Sequence, residues 1–253
     1  MKNIRTPFLR VIGSADALVS ADSDHSCLCL NDEILIDACP SVVTALLKQD
    51  ADPANIRHLF FTHMHSDHCM GLLPLLLYWK FRSIDPSQIT LYGPAATLRE
   101  HVHKGLAYMD MPESEAPGIV EIEGDCKLTV GGWSVSITNA DHAVPGLSYR
   151  FDHTESGKSL GVSGDTMYQA KYGEFFRSCD LLLYEASFAE RKPDIYSRHS
   201  NSEDAAKVAN EAGVKKLLVT HCRAQFRDNA IRVAAEYSKM PAEWAVAGNI
   251  YEL

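Results

Sequence analysis

Residues 57–69 read Arg-His-Leu-Phe-Phe-Thr-His-Met-His-Ser-Asp-His-Cys, and the segment Thr62-His63-Met64-His65-Ser66-Asp67-His68 inside them governs the reading of the whole chain. An apolar run, Leu59-Phe60-Phe61, leads into three histidines and a carboxylate within six residues. The run predicts a buried strand over 57–61. Imidazole and carboxylate are the ligands that zinc-like divalent ions take. A loop leaving a strand end turns alternate side chains inward, so His63 and His65 are placed to serve one ion. Asp67 and His68, one step further on, are placed to serve a second nearby. A histidine-rich surface turn is the competing reading, and the spacing HxHxDH at a strand end argues against it.

Two ions sharing a water need about seven protein ligands between them, so three more should appear downstream. They do. His142 follows a strand predicted over 133–138, in Ala140-Asp141-His142. Asp165 follows the strand 159–163, in Ser163-Gly164-Asp165-Thr166, and His221 follows the strand 216–220, in Val219-Thr220-His221. A lone histidine at a strand end is more often a hydrogen-bonded structural residue. The argument rests on all seven together, in order.

The rest of the chain supplies a scaffold. Further strands are predicted at 8–12, 27–30, 34–36, 89–92, 118–122, 126–130, 147–151 and 181–184, with short ones at the end, and Asn31-Asp32 reads as a tight turn. A helix opens at Pro40-Ser41 with Val42, Val43, Leu46 and Leu47 on one face. Another runs on from His68 through Leu72, Leu75, Leu76 and Trp79, its N-terminal end beneath the metal site. Gly93-Pro94 turns into a helix ending near Tyr108, and helices follow at about 169–177, 202–212 and 228–238. Ser200-x-x-Glu203 resembles a capping box. Met109 to Pro117, polar, acidic and proline-punctuated, is expected to form a mobile flap beside the site. Runs of strands with helices between them, in two halves, predict an α/β four-layer αββα sandwich forming a single domain over 1–253.

The totals set limits. Hydrophobic residues make up 46% and charged residues 23% of the 253, enough for a sizeable core. A net charge of −9 argues against gripping long nucleic acid on a broad basic face. It leaves room for a small anionic substrate, because bound cations dominate the local field. No apolar run approaches the roughly 20 residues that span a bilayer. Met1 to Arg10 has no signal-peptide h-region, and the seven cysteines contain no CxxC pair, so the expected compartment is the reducing cytoplasm. Cys69 and Cys222 each follow a candidate ligand and are expected to pack rather than bind.

The HxHxDH loop with its later His, Asp and His resembles the metallo-β-lactamase superfamily. Four further segments resemble its ribonuclease Z branch: Leu91-Tyr92-Gly93-Pro94, Ser163-Gly164-Asp165-Thr166, Tyr184-Glu185-Ala186-Ser187-Phe188 and Arg198-His199-Ser200. The resemblance implies that His63, His65 and His142 bind one metal, that Asp67, His68 and His221 bind the other, and that Asp165 bridges them. The implied cofactor is two Zn²⁺, with Mn²⁺ or Fe as substitutes. The implied chemistry is hydrolysis by a metal-bridging hydroxide that Asp67 helps to orient. His199 would be a general acid protonating the leaving oxygen, with Glu185 fixing its ring. In ribonuclease Z a long arm gripping transfer RNA is inserted between the third and fourth motifs. Here 23 positions separate His142 from Asp165, room for a hairpin only. Transfer RNA is therefore not the expected partner. The expected substrate is a small, anionic phosphodiester: a cyclic nucleotide, a short oligonucleotide or a similar molecule. Lactone, thioester or β-lactam hydrolysis on the same metals is the alternative, and a metal-binding redox or sensor protein stands behind both. A homodimer is left open.

Residues outside the seven receive brief expectations. Asp37, at a strand end, should orient a ligand histidine rather than bind metal. His25 is a candidate for the cleft wall, and Arg223 and Arg150 are candidates to contact a phosphate. Tyr78, Trp79 and Tyr108 either line a substrate wall or sit in the core. His58, His101, His103 and His153 lack a spacing partner and read as surface or structural.

Overall fold

The computed structural model describes residues 6–190 and 198–253. In chain order the strands are β1 Phe8–Gly13, β2 Cys27–Leu30, β3 Ile34–Ile36, β4 His58–Phe60, β5 Thr90–Pro94, β6 Gly118–Ile122 and β7 Cys126–Val130, then β8 Trp133–Ala140, β9 Gly146–His153, β10 Ser159–Val162, β11 Leu181–Glu185, β12 Leu217–Thr220, β13 Ala242–Trp244 and β14 Ile250–Glu252. The helices are α1 Val42–Lys48, α2 Ser66–Cys69, α3 Leu72–Phe81, α4 Leu98–Tyr108, α5 Tyr172–Phe175, α6 Ser202–Ala212 and α7 Arg227–Tyr237.

Two seven-stranded sheets result, ordered β14-β1-β2-β3-β4-β5-β6 and β13-β12-β11-β10-β9-β8-β7. Each is antiparallel through its hairpins and turns parallel where helices intervene: β3 to β6 in the first sheet, β10 to β13 in the second. Asn31 and Asp32 both take left-handed backbone in the β2–β3 turn, as such a tight turn requires.

Strand side chains alternate between two buried faces. Ile34, Ile36 and Phe60 point to the space between the sheets, where they meet Trp133, Val135, Tyr149, Phe151 and Leu183. Phe60 stacks on Tyr92 at 4.3 Å and meets Tyr149 and Phe151 edge-on at 5.4 and 5.3 Å. Their neighbours Leu35, Leu59 and Phe61 point the other way, onto Val42, Leu72, Leu75, Trp79 and Val102 of the helices. Leu182, Tyr184 and Val219 do the same beneath α5, α6 and α7. Covering on both faces is why these strands read as unbroken apolar runs. The product is the expected αββα sandwich.

Several local expectations need correction. The helix after His68 is two helices, because Gly71 presses on the chain at 38–39. A Cβ there would sit 2.1 Å from the Cys39 carbonyl oxygen, and Gly71 N–H donates to Ala38 O at 2.9 Å. The predicted helix over 169–177 contracts to Tyr172–Phe175. The capping box lies one residue later, between Asn201 and Asp204, since Ser200 Oγ is taken up by the Thr166 carbonyl at 2.7 Å. Residues 109–117 form no flap at the site. Met111 is buried against the α3–α4 layer, and Glu115 pairs with Lys80 at 2.9 Å.

Candidate metal centre

All the sequence-predicted ligands lie at ends of strands or in the loops that leave them, and the two sheets bring these ends together. The loop after β4 carries His63 and His65, and α2 carries Asp67 and His68. His142 sits between β8 and β9, Asp165 beyond β10, and His221 directly after β12. Three hydrogen bonds fasten one sheet to the other around this point: Leu147 N to Thr62 O (2.8 Å), Tyr149 Oη to Phe61 O (2.5 Å) and His221 N to Ser14 O (2.8 Å). Gly164, at φ +61°, lies so close to the loop that a Cβ would stand 2.8 Å from Thr62 Cβ. Asp37 and His221 both hold left-handed backbone at φ +59°.

The ligand atoms fall into two groups. In the first, His65 Nδ1 lies 2.9 Å from His63 Nε2 and 3.1 Å from His142 Nε2. In the second, His68 Nε2 lies 3.3 Å from His221 Nε2, and Asp67 Oδ2 lies 3.5 and 3.7 Å from these two nitrogens. Asp165 reaches both groups: Oδ2 is 3.8 Å from His63 Nε2 and 3.2 Å from His221 Nε2, and Oδ1 is 3.6 Å from His68 Nε2. Ligand atoms about 2.0–2.1 Å from one tetrahedral ion stand about 3.3 Å apart. The observed spacing fits two such ions with Asp165 between them.

The far side of each ring decides which nitrogen is free. His68 Nδ1 donates to Asp37 Oδ2 (2.8 Å), His63 Nδ1 to Thr62 Oγ1 (3.1 Å), His142 Nδ1 to the Arg198 carbonyl (3.0 Å) and His221 Nδ1 to Ser187 Oγ (2.9 Å). Thr62 and Ser187 can accept because their own hydroxyls donate onward, to Asp37 and Glu185. Four Nε2 lone pairs are thereby aimed inward, the usual arrangement behind metal-binding imidazoles. Asp165 Oδ1, buried, has no hydrogen-bond partner among the described residues. Lone pairs facing one another at 3 Å, with an orphaned carboxylate oxygen among them, suit a cation.

The charge balance agrees. Burial holds His63 well below the ordinary imidazole value and lowers His65 as well. At His68 and His221 burial acts in the same direction but is outweighed. Asp165 and Asp37 lift His68 to about 9, while Asp165 and Asp67 lift His221 to about 10. Burial would raise the carboxyls of Asp67 and Asp165, yet the surrounding imidazoles hold both far below the usual range. Without a metal these carboxylates draw protons onto His68 and His221, and a cation taking the Nε2 lone pairs would displace them.

Beside the cluster, His199 Nδ1 donates to Glu185 Oε1 at 3.0 Å. Glu185 is buried, and also accepts from Thr166 N (2.7 Å) and from Ser187 N and Oγ (3.3 and 2.9 Å). Burial lowers His199, but the hydrogen bond and charge of Glu185 prevail and its pKa is raised. A cavity of about 570 Å³ opens over the cluster, walled by His65, Phe188, His199, Arg223 and Phe226 among others.

Asp37 takes the expected place behind His68 and also accepts from Thr62 N at 2.7 Å. Arg223 reaches the cavity. Arg150 does not: it is bound to Asp152 and to the carbonyls of Phe175 and Arg177. His25 pairs with Asp24 at 3.1 Å and does not line the cavity. Trp79 is buried with Nε1 on the Pro53 carbonyl, Tyr78 bonds Asp52, and Tyr108 is exposed; none of the three lines the cavity over the cluster. Cys69 and Cys222 are buried, each with its thiol on a backbone carbonyl. Thr62 and Ser187, which fix two of the rings, were given no role by sequence reasoning, although each lies within a segment singled out for its neighbours.

Comparison with known proteins identifies the fold and the family. The ribonuclease Z of Nitrosopumilus maritimus is 24% identical over 269 residues, covering 86% of this chain and 89% of its own. The metallo-β-lactamase fold protein YhfI from Bacillus subtilis shares the fold at TM-score 0.85 and 22% identity, covering 98% of this chain and 100% of its own. The short form of human tRNase Z does so at TM-score 0.80 and 19% identity, covering 97% and 98%. Residues 32–222 match the family described as the beta-lactamase superfamily domain, and the chain belongs to that superfamily.

Proposed function

We propose that the chain, as one hydrolase domain over residues 1–253, is a dinuclear-metal phosphodiesterase acting on a small anionic diester. The observation that carries this reading is Asp165 standing between two ligand groups, with the Glu185-braced imidazole of His199 beside them. His63, His65 and His142 would hold one ion, Asp67, His68 and His221 the other, with Asp165 shared. A nitrogen-rich set with two carboxylates suits Zn²⁺, and also Mn²⁺ or Fe. Two such ions, when bound, acidify a water and polarise the phosphoryl oxygen under attack.

The chain's own residues supply the rest. Asp67 offers a carboxylate oxygen at the cavity floor, able to accept a hydrogen bond from the nucleophile. Glu185 engages His199 Nδ1, which leaves Nε2–H to protonate the departing oxygen. The hydrogen bond and charge of Glu185 raise the pKa of His199 and so favour the protonated ring. Only the β9–β10 hairpin lies between His142 and Asp165, which with the charge of −9 favours a small substrate over transfer RNA. No helix among the described residues is long and apolar enough to cross a membrane, and the unpaired cysteines suit the cytoplasm.

Acyl esters with good leaving groups need no strong acid and give the His199–Glu185 pair nothing to do. The test is the Zn²⁺- or Mn²⁺-loaded protein assayed on bis(p-nitrophenyl) phosphate, a lactone and nitrocefin. Hydrolysis of the diester supports the proposal. Turnover of only the lactone or nitrocefin replaces it with acyl chemistry.

A further inference from the structure

Arg223 is the one Lys or Arg side chain among the described residues that lines the cavity; the other charged residues there, histidines aside, are Asp16, Asp67 and Asp165. Its Nε donates to Asp16 Oδ2 at 3.0 Å. Asp16 is buried to 8% exposure, and its Oδ1 accepts from Leu18 N at 2.9 Å, which fixes the carboxylate in its turn. The two residues come from distant parts of the chain, the loop after β1 and the segment after β12. The His221 N to Ser14 O bond ties these segments together close by. The guanidinium is half exposed, and its two Nη groups meet no acceptor among the described residues.

The ion pair ties Arg223 to Asp16, which belongs to neither ligand group. Swinging inward would strand the buried carboxylate of Asp16, a loss larger than an exposed ion pair returns. A diester at the metal cluster would already face two divalent cations against the carboxylates of Asp67 and Asp165, and needs no third positive group. The cavity also exceeds what one phosphodiester group fills, and Phe188 borders it with a ring that suits a base.

We propose, resting on the phosphodiesterase reading above, that Arg223 binds a second anionic group of the substrate, a phosphate flanking the one that is cut. Asp16 is a positioning residue that aims it. The substrate is then a short linear oligonucleotide rather than a cyclic mononucleotide, which has no second phosphate.

The test compares the dinucleotide ApA with its 5′-phosphorylated form pApA on the metal-loaded full chain. The wild type should favour pApA by about tenfold in kcat/KM, carried by KM, the size expected of one charge-assisted contact at a half-open site. R223A should bring the pApA/ApA ratio to about one. R223K should keep part of it, because an ammonium keeps the charge but loses the fork. D16N should lower the ratio through KM for pApA, with little change in kcat. A wild-type ratio near one, or a ratio that R223A leaves unchanged, overturns the assignment while the phosphodiesterase reading stands. Failure of the wild type to cut any diester removes that reading, and this inference with it.

Discussion

The two sheets reach the same centre by different routes. The N-terminal half contributes His63, His65, Asp67 and His68 from one continuous loop and helical turn. Its anchor is a single buried carboxylate: Asp37 holds Thr62 through two hydrogen bonds and His68 through a third. The C-terminal half contributes His142, Asp165 and His221 singly, from separate strand ends, and steadies its rings with the Arg198 carbonyl and the Ser187 hydroxyl. One half is a motif and the other an assembly. A motif can form before the sandwich closes, whereas the assembly exists only when strand order is correct.

The substitution expected to do most damage is Asp165→Asn, because that carboxylate alone touches both ligand groups. Metal content by plasma emission should fall from two ions per chain to one or none, and hydrolysis should drop on the order of 10³-fold. Retention of two ions and full activity would break the picture of a shared ligand.

His199→Ala comes next. Loss of a general acid should cost about 10²–10⁴-fold with a poor alkoxide leaving group and far less with p-nitrophenolate; equal losses on both would refute the acid role. The pH profile gives the sign. The pKa of His199 is raised, so its proton is present below that value and lost as pH rises through it. The wild-type rate should fall on the alkaline side, and H199A should flatten that limb.

Asp37→Ala and Ser187→Ala compare the two anchors directly. The first strips acceptors from three buried donors and should cost about 3 kcal/mol of stability, with about 10–100-fold in metal affinity. The second should cost about tenfold in affinity and little stability. Titration with a chelator, alongside thermal unfolding, reads both, and a reversed order would undo the contrast between motif and assembly. The smallest effect is expected of Tyr149→Phe, which removes the bond from the second sheet to the Phe61 carbonyl. About 1 kcal/mol, or roughly 2–4 °C in Tm, should be lost.

The same contrast governs what could be read from sequence. The loop was legible because four candidate ligands stand together at the end of an apolar run. The three later candidates were legible because each is a polar residue just beyond a strand, and strand patterns survive in sequence. What failed depended on contacts between distant residues. Nothing in Cys69-Met70-Gly71 announces that the chain at Cys39 will press on Gly71 and split a helix. The acidic composition of 109–117 does not reveal that Met111 turns into the core. Arg150 and Arg223 are the same residue type, and only the sheet decides that one is tied down behind β9 while the other reaches the cavity. Ser187 looks like any serine until its hydroxyl is seen to donate to Glu185 and accept from His221 Nδ1.

His221 sits in left-handed backbone, a posture that costs a residue with a Cβ about 1 kcal/mol or more. The bond from its amide to Ser14 helps to keep it there, and Ser14 lies far upstream in the chain. A ribosome releases that histidine long after the histidine-rich loop has emerged. Newly made chains should therefore gather ions loosely at first and grip them only when these two segments have met. Ion retention through dialysis then becomes a gauge of finished folding.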